Sequence, residues 1–274
     1  MISADSLNGL DLPGSRLDAA KMPGHWLLAR LGKRVLRPGG LAMTRSLISQ
    51  LQIDEPDDVV EFAPGLGATA RLILAQKPRS YVGIERDARA AHWTLRRLPE
   101  ADRISLIVGA ADRTTLPDSS ASVVVGEAML SMNSDAHKRE IAAEAFRLLR
   151  PGGRFGIHEL CAVPEDLATA HREAIDRGLS SAIHVGVRLL PLSGWIALVE
   201  QAGFRVVAAG DAPMHLLRVQ RLLEDEGVAG ALRFARNLIL DGAARRRVGE
   251  MRRTFERFGE NLRAIYLVAR KDAR

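Results

Sequence analysis

The chain has 274 residues, of which 47% are hydrophobic and only 4% aromatic. This length suits one large α/β domain or two small ones, with a core built mainly from Leu, Val, Ile and Ala. The single cysteine, Cys161, excludes an intrachain disulfide and a CxxC metal site, which is typical of a reducing compartment. The chain also has no HxH or HExxH spacing, so we expect no metal.

The formal net charge of +6 raises nucleic acid or an anionic membrane as partners. The basic residues are scattered, however, and their one cluster, at 245–257, is interrupted by Glu250 and Glu256 as on a solvated helix face. The N-terminus has no basic region followed by an apolar one, and no apolar run reaches the roughly 20 residues that span a bilayer. We therefore expect a cytoplasmic protein with no membrane span and no nucleic-acid partner.

Residues 1–23 are rich in Gly, Pro, Ser and Asp and predict a loose arm. Beyond it, amphipathic runs alternate with short apolar or β-branched runs. Helices are predicted at 26–36, 41–51, 68–75, 88–98, 136–149, 165–177, 193–202 and 215–258. Strands are predicted at 58–62, 81–85, 104–108, 123–126, 155–160, 204–209 and 262–270.

Alternating strands and helices predict an α/β fold of the Rossmann-like kind, with a parallel sheet and helices on both faces. An N-terminal arm and helix would occupy 1–40, and the main domain 41–274. Two helical excursions, at about 163–192 and 211–260, depart from the alternation. Segments of this length often form lids or substrate walls.

The segment VVEFAPGLG, at 59–67, carries the strongest functional signal. A buried strand reaches Glu61 and opens into a tight glycine turn before a helix. Gly65 and Gly67 permit close approach of the backbone to a ligand, and the first helical amides can donate to a carboxylate or phosphate. Glu85 ends the next strand, where a carboxylate can accept both hydroxyls of a ribose.

The third strand leads into IVGAADRTTLP, at 107–117. The small Ala110 and Ala111 leave room for a flat ring, and Asp112 can accept a hydrogen bond from an exocyclic amine. An ordinary turn at Asp112 is the alternative. The sequence LRPGG occurs at 36–40 and again at 149–153, but five residues are too few to establish an internal repeat.

The segments EFAPGLG, YVGIERD, LPDSSASVVV and RLLRPGGRFGIHEL together resemble class I S-adenosylmethionine-dependent methyltransferases. The resemblance covers about 58–160 and is to the small-molecule group that contains the ubiquinone C-methyltransferases. It implies a seven-stranded sheet whose final strand, at 262–270, runs antiparallel. It also implies that S-adenosyl-L-methionine is the cofactor and that a small-molecule acceptor receives its methyl group by in-line displacement.

The resemblance assigns cofactor-binding roles by position. Glu61 would order the glycine turn near the cofactor's amino group, Glu85 would bind the ribose, and Glu127 would line the methyl-transfer site. The implied cofactor-binding residues are Glu61, Ala63, Gly65, Gly67, Glu85, Ala111, Asp112 and Glu127.

Two positions depart from the family pattern. Ala63 replaces the first glycine of the usual E/D-x-G-x-G-x-G motif. The usual Gly-Asp-Ala of the third strand reads Gly109-Ala110-Ala111 here, so the acid beside adenine is either displaced to Asp112 or absent.

Three residues are candidates for catalysis, because a general base is needed only when the acceptor must lose a proton. His158 and Glu159 end the fifth strand, and since neighbouring strand residues point to opposite faces, we expect one of them to face the site. Glu127 is the third candidate, as a base or as a cation binder.

Two other functions stay open. The chain could be an RNA or protein methyltransferase that uses the Arg-rich helix at 245–257, although it lacks an Asn-Pro-Pro-Tyr type sequence after the fourth strand. It could also be a catalytically silent ligand-binding or partner protein of the same fold. Its oligomeric state, monomer or homodimer, is also open.

Overall fold

A seven-stranded β-sheet forms the centre of the protein. The computed structural model describes residue 12 and residues 17–272, and its strands are β1 (Asp58–Phe62), β2 (Ser80–Glu85), β3 (Ile104–Val108), β4 (Ala121–Glu127), β5 (Leu149–Ala162), β6 (Phe204–Pro213) and β7 (Leu262–Lys271). They lie in the order β3-β2-β1-β4-β5-β7-β6. Neighbours from β3 to β5 pair in parallel, whereas β7 pairs antiparallel with both β5 and β6. The predicted Rossmann-like sheet with an antiparallel last strand is confirmed.

Helices cover both faces of this sheet. They are α1 (Gly24–Arg30), α2 (Gly40–Leu51), α3 (Ala68–Leu74), α4 (Ala88–Leu95), α5 (Asp135–Leu148), α6 (Thr169–Ile183), α7 (Leu192–Gln201), α8 (Val219–Leu240) and α9 (Gly242–Arg257). On one face Leu148 of α5 and Trp195 of α7 join Val124 in one apolar cluster. On the other face Leu47 of α2 joins Val123 in a second cluster. Consecutive valines of β4 therefore enter opposite layers, as expected for a strand buried on both sides.

Several helices depart from their predicted bounds, and α6 spans Thr169–Ile183 rather than 165–177. The first helix ends at Arg30, well before its predicted end, because Gly32 adopts a φ of +108° that a helix cannot contain. The predicted helical stretch 215–258 divides at Asp241. The Asp241 carboxylate accepts the N–H of Ala244 at 2.9 Å and so caps the start of α9.

Strand β5 begins earlier than predicted. Leu149 already pairs with Ala121, and regular pairing resumes at Arg154 after a shift of register. Gly152 lies in the irregular stretch with a φ of +79°. The stretch 150–153, between the predicted helix 136–149 and the predicted strand 155–160, is therefore an interruption within a longer strand rather than its boundary.

Helices α1, α6, α8 and α9 form a layer with apolar contacts of its own. Leu27 and Leu28 of α1 pack with Phe234 of α8 and with Val248 and Met251 of α9. The two predicted excursions thus fold against the N-terminal helix, as a lid or substrate wall would.

The predicted loose arm at 1–23 is only partly described, since 1–11 and 13–16 lie outside the described residues. Its last residues pack against the protein, because Ala19 is 5% exposed and Met22 is fully buried. Within residues 17–272, no helix has the length and apolarity that crossing a bilayer requires.

Buried charges attach the segment after α1 to α8. The Lys33 ammonium is fully buried, 3.5 Å from an Asp225 oxygen and 3.8 Å from a Glu226 oxygen. The Glu226 carboxylate also accepts the backbone N–H groups of Arg34 and Val35 at 2.7 and 2.9 Å. Since buried charges are costly unless paired, this cluster fixes the position of α8 against the N-terminal segment.

A buried arginine of α9 holds the end of the arm. Arg247 is 6% exposed. Its guanidinium donates hydrogen bonds to the carbonyls of Ala19, Ala20 and Ala182 at 3.1, 2.9 and 3.3 Å. One residue of the Arg-rich helix therefore joins the arm, α6 and α9.

We expect Arg247→Ala to lower the free energy of unfolding by about 1–3 kcal/mol, because it leaves buried carbonyls without donors. Arg246→Ala is the matched control, since Arg246 is exposed and its removal should change stability by no more than about 0.5 kcal/mol. Urea denaturation of both variants measures the difference. Equal stability of the two variants would show that Arg247 does not hold this junction.

Candidate active site

A cavity of about 600 Å³ lies at the carboxyl ends of β1 to β4. The strand order reverses between β1 and β4, which is where ligands bind in open parallel sheets. The sequence-predicted residues in its wall are Glu61, Ala63, Gly65, Glu85, Ala111, Asp112 and Glu127. The fold therefore brings most of the predicted cofactor-binding residues together.

The glycine turn after β1 runs through left-handed backbone conformations. Ala63, Gly65 and Gly67 have φ values of +53°, +55° and +72°. At Gly67 an added Cβ would lie 2.8 Å from the Thr94 methyl group, so only glycine fits there. Ala63 adopts the strained conformation with its methyl group in place, at a cost of roughly 1–2 kcal/mol. This conformation explains why a glycine is usual at that position of the motif.

Glu61 lies under the turn and is 3% exposed. The Tyr81 hydroxyl donates a hydrogen bond of 2.6 Å to its carboxyl group. Burial raises the pKa of Glu61 to about 8, although the Tyr81 hydrogen bond opposes the shift. A positive charge in the cavity would favour its ionised form.

Glu85 connects the end of β2 to the glycine turn. Its carboxylate accepts the N–H of Gly65 at 3.2 Å and that of Asp87 at 3.1 Å. Burial raises the pKa of Glu85, and these two backbone hydrogen bonds oppose the shift. Two oxygens offer about four acceptor positions, so the carboxylate keeps capacity for a ligand's hydroxyl groups.

The loop after β3 forms another wall of the cavity. Ala110, Ala111 and Asp112 line it, and an Asp112 oxygen lies 3.4 Å from Nε2 of His137. Asp112, His137 and Glu140 each offer one ligand atom within 4.8 Å of the others. No metal-binding motif in the sequence marks this partly exposed group of three residues. Exposed acidic groups of this kind are common without a metal.

Glu127, at the end of β4, is the centre of a buried polar network. Its carboxylate accepts hydrogen bonds from the Arg37 guanidinium and the Thr69 hydroxyl, and it contacts Nδ1 of His158 at 2.7 Å. Burial alone would raise the pKa of Glu127, but the Arg37 charge and the hydrogen bonds from His158 and Thr69 together lower it to about 2. Glu127 is therefore ionised at neutral pH.

His158 lies behind this network and is fully buried. Its Nδ1 faces the ionised Glu127 carboxylate, and its Nε2 faces the carbonyl oxygen of Pro38 at 2.6 Å. Both ring nitrogens are therefore engaged by oxygen atoms of the protein. In this arrangement the imidazole has no free nitrogen with which to take a proton from an acceptor.

Glu159 points away from the cofactor cavity into a smaller cavity, as the alternation of strand residues predicts for neighbours. Its oxygens accept the backbone N–H groups of Met129, Leu130 and Ser131 at 2.9, 2.7 and 3.0 Å. The Ser131 hydroxyl donates a fourth hydrogen bond at 2.6 Å. Burial raises the pKa of Glu159, and these four bonds oppose the shift. The carboxylate thus holds the loop after β4.

Arg37 and Pro38 are the site residues that the sequence did not reveal. They belong to the first LRPGG segment, at 36–40, whose arginine reaches Glu127. The second LRPGG segment, at 149–153, starts β5 instead. The two copies have different structural roles, consistent with the absence of an internal repeat.

Cys161 belongs to the apolar core and is 1% exposed. Burial raises the pKa of its thiol to about 12, so the side chain is neutral at physiological pH. It acts as a small buried hydrophobic residue.

Comparison with known proteins identifies the class. Residues 59–153 match the family model of a methyltransferase domain. An uncharacterized protein of Haemophilus influenzae is 30% identical over 249 residues, which make up 90% of this chain and 96% of that protein. Methyltransferase phqN of Penicillium fellutanum is 27% identical over 207 residues, 71% of this chain and 60% of that protein.

A solved structure has the same fold. Phospholethanolamine N-methyltransferase 2 of Haemonchus contortus, in complex with phosphomonomethylethanolamine and S-adenosylhomocysteine, matches with a TM-score of 0.69 at 15% identity. The match covers 92% of this chain and 57% of that one. The chain belongs to the class I S-adenosylmethionine-dependent methyltransferases, and S-adenosyl-L-methionine is its cofactor.

The cavity fits this cofactor in size and in chemistry. Its volume of about 600 Å³ lies in the range of small-molecule sites. A Cβ added at Gly65 would approach nothing closer than the Ala63 carbonyl at 3.9 Å, so the turn leaves open space beside it. Carboxyl groups at Glu61 and Glu85 offer acceptors for an ammonium group and for hydroxyl groups.

We expect Ala63→Gly to raise the free energy of unfolding by about 0.5 kcal/mol. The left-handed strain of roughly 1–2 kcal/mol disappears, and part of this gain is offset by the greater freedom of glycine in the unfolded chain. Gly67→Ala, the matched opposite change, should destabilise by at least about 1–2 kcal/mol. Chemical denaturation compares them, and a Gly67→Ala variant as stable as wild type would contradict this view of the turn.

Proposed function

We propose that this methyltransferase transfers the methyl group of its cofactor to a small-molecule acceptor by in-line displacement. One observation carries the proposal: the cofactor cavity adjoins a second, smaller cavity of about 100 Å³ with largely apolar walls. The residues that line both cavities are His25, Leu36, Ala128 and Met132. A methyl donor in the first cavity and an acceptor in the second would meet at this junction.

The walls of the second cavity come from the protein's own helices. Leu28 of α1, Leu179 of α6 and Met251 of α9 contribute to it, and the loop after β4 closes its base. Apolar walls beside the cofactor cavity can hold a small reactant in a fixed geometry, which is what a displacement at carbon requires.

The cofactor-binding roles follow from the cavity walls. When bound, the cofactor supplies a methyl group activated by a neighbouring sulfonium. We assign Glu61 to the cofactor's positive end, and Glu85 to its ribose hydroxyls. We assign Asp112 and the neighbouring Ala111 to the adenine.

The three predicted catalytic residues receive positioning roles in this proposal. Glu127 lines the cavity as an anion whose charge Arg37 already balances. His158 contacts Glu127 and the Pro38 carbonyl through its two ring nitrogens, and Glu159 fixes the loop at 129–131. The protein then acts chiefly by alignment.

The Arg-rich helix gives little support to an RNA or protein acceptor. In α9, Met251 and Phe255 line the second cavity, and Arg247 is buried. The apolar face of α9 therefore forms part of the cavity wall, and its remaining arginines form a solvated outer face.

We expect Glu85→Ala to weaken S-adenosylhomocysteine binding by about 1–3 kcal/mol, the scale of a lost hydrogen bond to a charged group. Glu100→Ala is the matched control, because Glu100 is an exposed carboxylate after α4 and should leave binding unchanged. Isothermal titration calorimetry measures both. If Glu85→Ala binds as tightly as wild type, the ribose assignment is wrong.

A further inference from the structure

We infer that the group of the acceptor beside its methylated atom is neutral and apolar, and that it occupies the small cavity between α1, α6 and α9. This inference rests on the proposed function and adds the chemical class of the acceptor. The fold itself does not supply that class, since the structurally similar nematode enzyme was solved with a phosphorylated amine.

The walls of the small cavity are almost entirely aliphatic or aromatic. They are formed by side chains that include Leu28, Leu179, Ile183, Val187, Met251 and Phe255. Burial of an apolar group among them gains about 25 cal/mol per Å² of surface removed from water. Its volume of about 100 Å³ is smaller than the ~150 Å³ of an apolar cavity that holds benzene. A short alkyl group therefore fits, and the rest of the acceptor would extend toward the junction.

The polar groups of this cavity are already accounted for. The Glu159 carboxylate accepts four hydrogen bonds from the loop after β4, and the Ser131 hydroxyl both donates to it and accepts the N–H of Leu160 at 3.2 Å. At the junction, burial lowers the pKa of His25 to about 4 despite the opposing charge of Asp87, so its imidazole is neutral at physiological pH. A charged acceptor group would find no free opposite charge here, and burying it unpaired costs several kcal/mol.

The junction between the two cavities is a rigid part of the fold. Ala128 has a φ of +53°, a strained conformation for a residue with a side chain. Its N–H donates to the carbonyl of His158 at 2.7 Å, and the next residue, Met129, donates to Glu159. These bonds attach the loop that carries Ala128 to β5. The acceptor must then enter with its methylated atom toward Ala128.

Two isosteric probes test the chemistry of the cavity. With S-adenosylhomocysteine at saturation, we expect 2-methyl-1-propanol to bind at least about tenfold more tightly than glycolate, in which a carboxylate replaces the isopropyl group beside the hydroxymethyl group. Ligand-observed NMR titrations measure both affinities. Equal affinities, or tighter binding of the carboxylate, would overturn the inference.

Variants that fill the small cavity test where the probe binds. Val187→Phe should weaken 2-methyl-1-propanol binding at least about tenfold, whereas the same change at the exposed Val207 on β6 should leave it unchanged. Ile183→Trp is a second filling variant, and thermal melting shows which variants are folded. Unchanged probe affinity in the folded filling variants would refute the acceptor site alone. Failure of wild-type protein to bind S-adenosylhomocysteine would instead refute the proposed function.

Discussion

The buried ionic network around Glu127 is the interaction on which the active site depends. It joins the end of β4 to β5 through His158, to α3 through Thr69 and to the turn before α2 through Arg37. Each of these groups would be costly to bury alone, so the network is stable only when all its members are present. A lost partner would leave an unpaired charge directly behind the cofactor cavity.

This network also explains how the N-terminal segment comes to cover the site. Arg37 and Pro38 contact Glu127 and His158, and the preceding residues are attached to α8 by Lys33. The segment from α1 to α2 is thus held at both ends, between the sheet and the helical layer. Its enclosed position places His25 and Leu36 at the junction of the two cavities.

The glycine turn supplies the other fixed wall of the site. The N–H of Gly65 donates to Glu85, so the turn after β1 and the end of β2 are locked together. Ala63 keeps a left-handed backbone despite its methyl group, which shows that the surrounding hydrogen bonds determine the conformation more strongly than the residue type. One of these bonds runs from the N–H of Ala63 to the carbonyl of Ile84 at 2.8 Å.

Local patterns in the sequence were sufficient to predict the sheet. The bounds of β1 and β3 agree with the prediction, because apolar, β-branched runs between turn residues are short-range signals. The proximity of EFAPGLG and Glu85 was also predictable, because the ends of two successive parallel strands lie side by side when the strands pair. Prediction was weaker at β5, where pairing across the sheet extends a strand through Pro and Gly residues that locally indicate a turn.

The long-range contacts could not be predicted in this way. Arg37 and Glu127 are 90 positions apart, and Lys33 meets Asp225 across most of the chain. Nothing in the local pattern around Arg37 distinguishes a buried arginine from an exposed one. For His158 the sequence predicted a position near the site. Its role depends on the oxygens of Glu127 and Pro38 that contact its ring, and these come from distant segments.

A double-mutant cycle of Arg37→Met and Glu127→Gln tests the central claim most directly. Unfolding free energies of wild type, both single variants and the double variant give the coupling energy between the two side chains. We predict a coupling on the order of 2–3 kcal/mol, together with a double variant that is more stable than either single variant, because an unpaired buried charge is worse than none. A coupling below about 0.5 kcal/mol would show that the two residues act independently and that the network does not hold the site together.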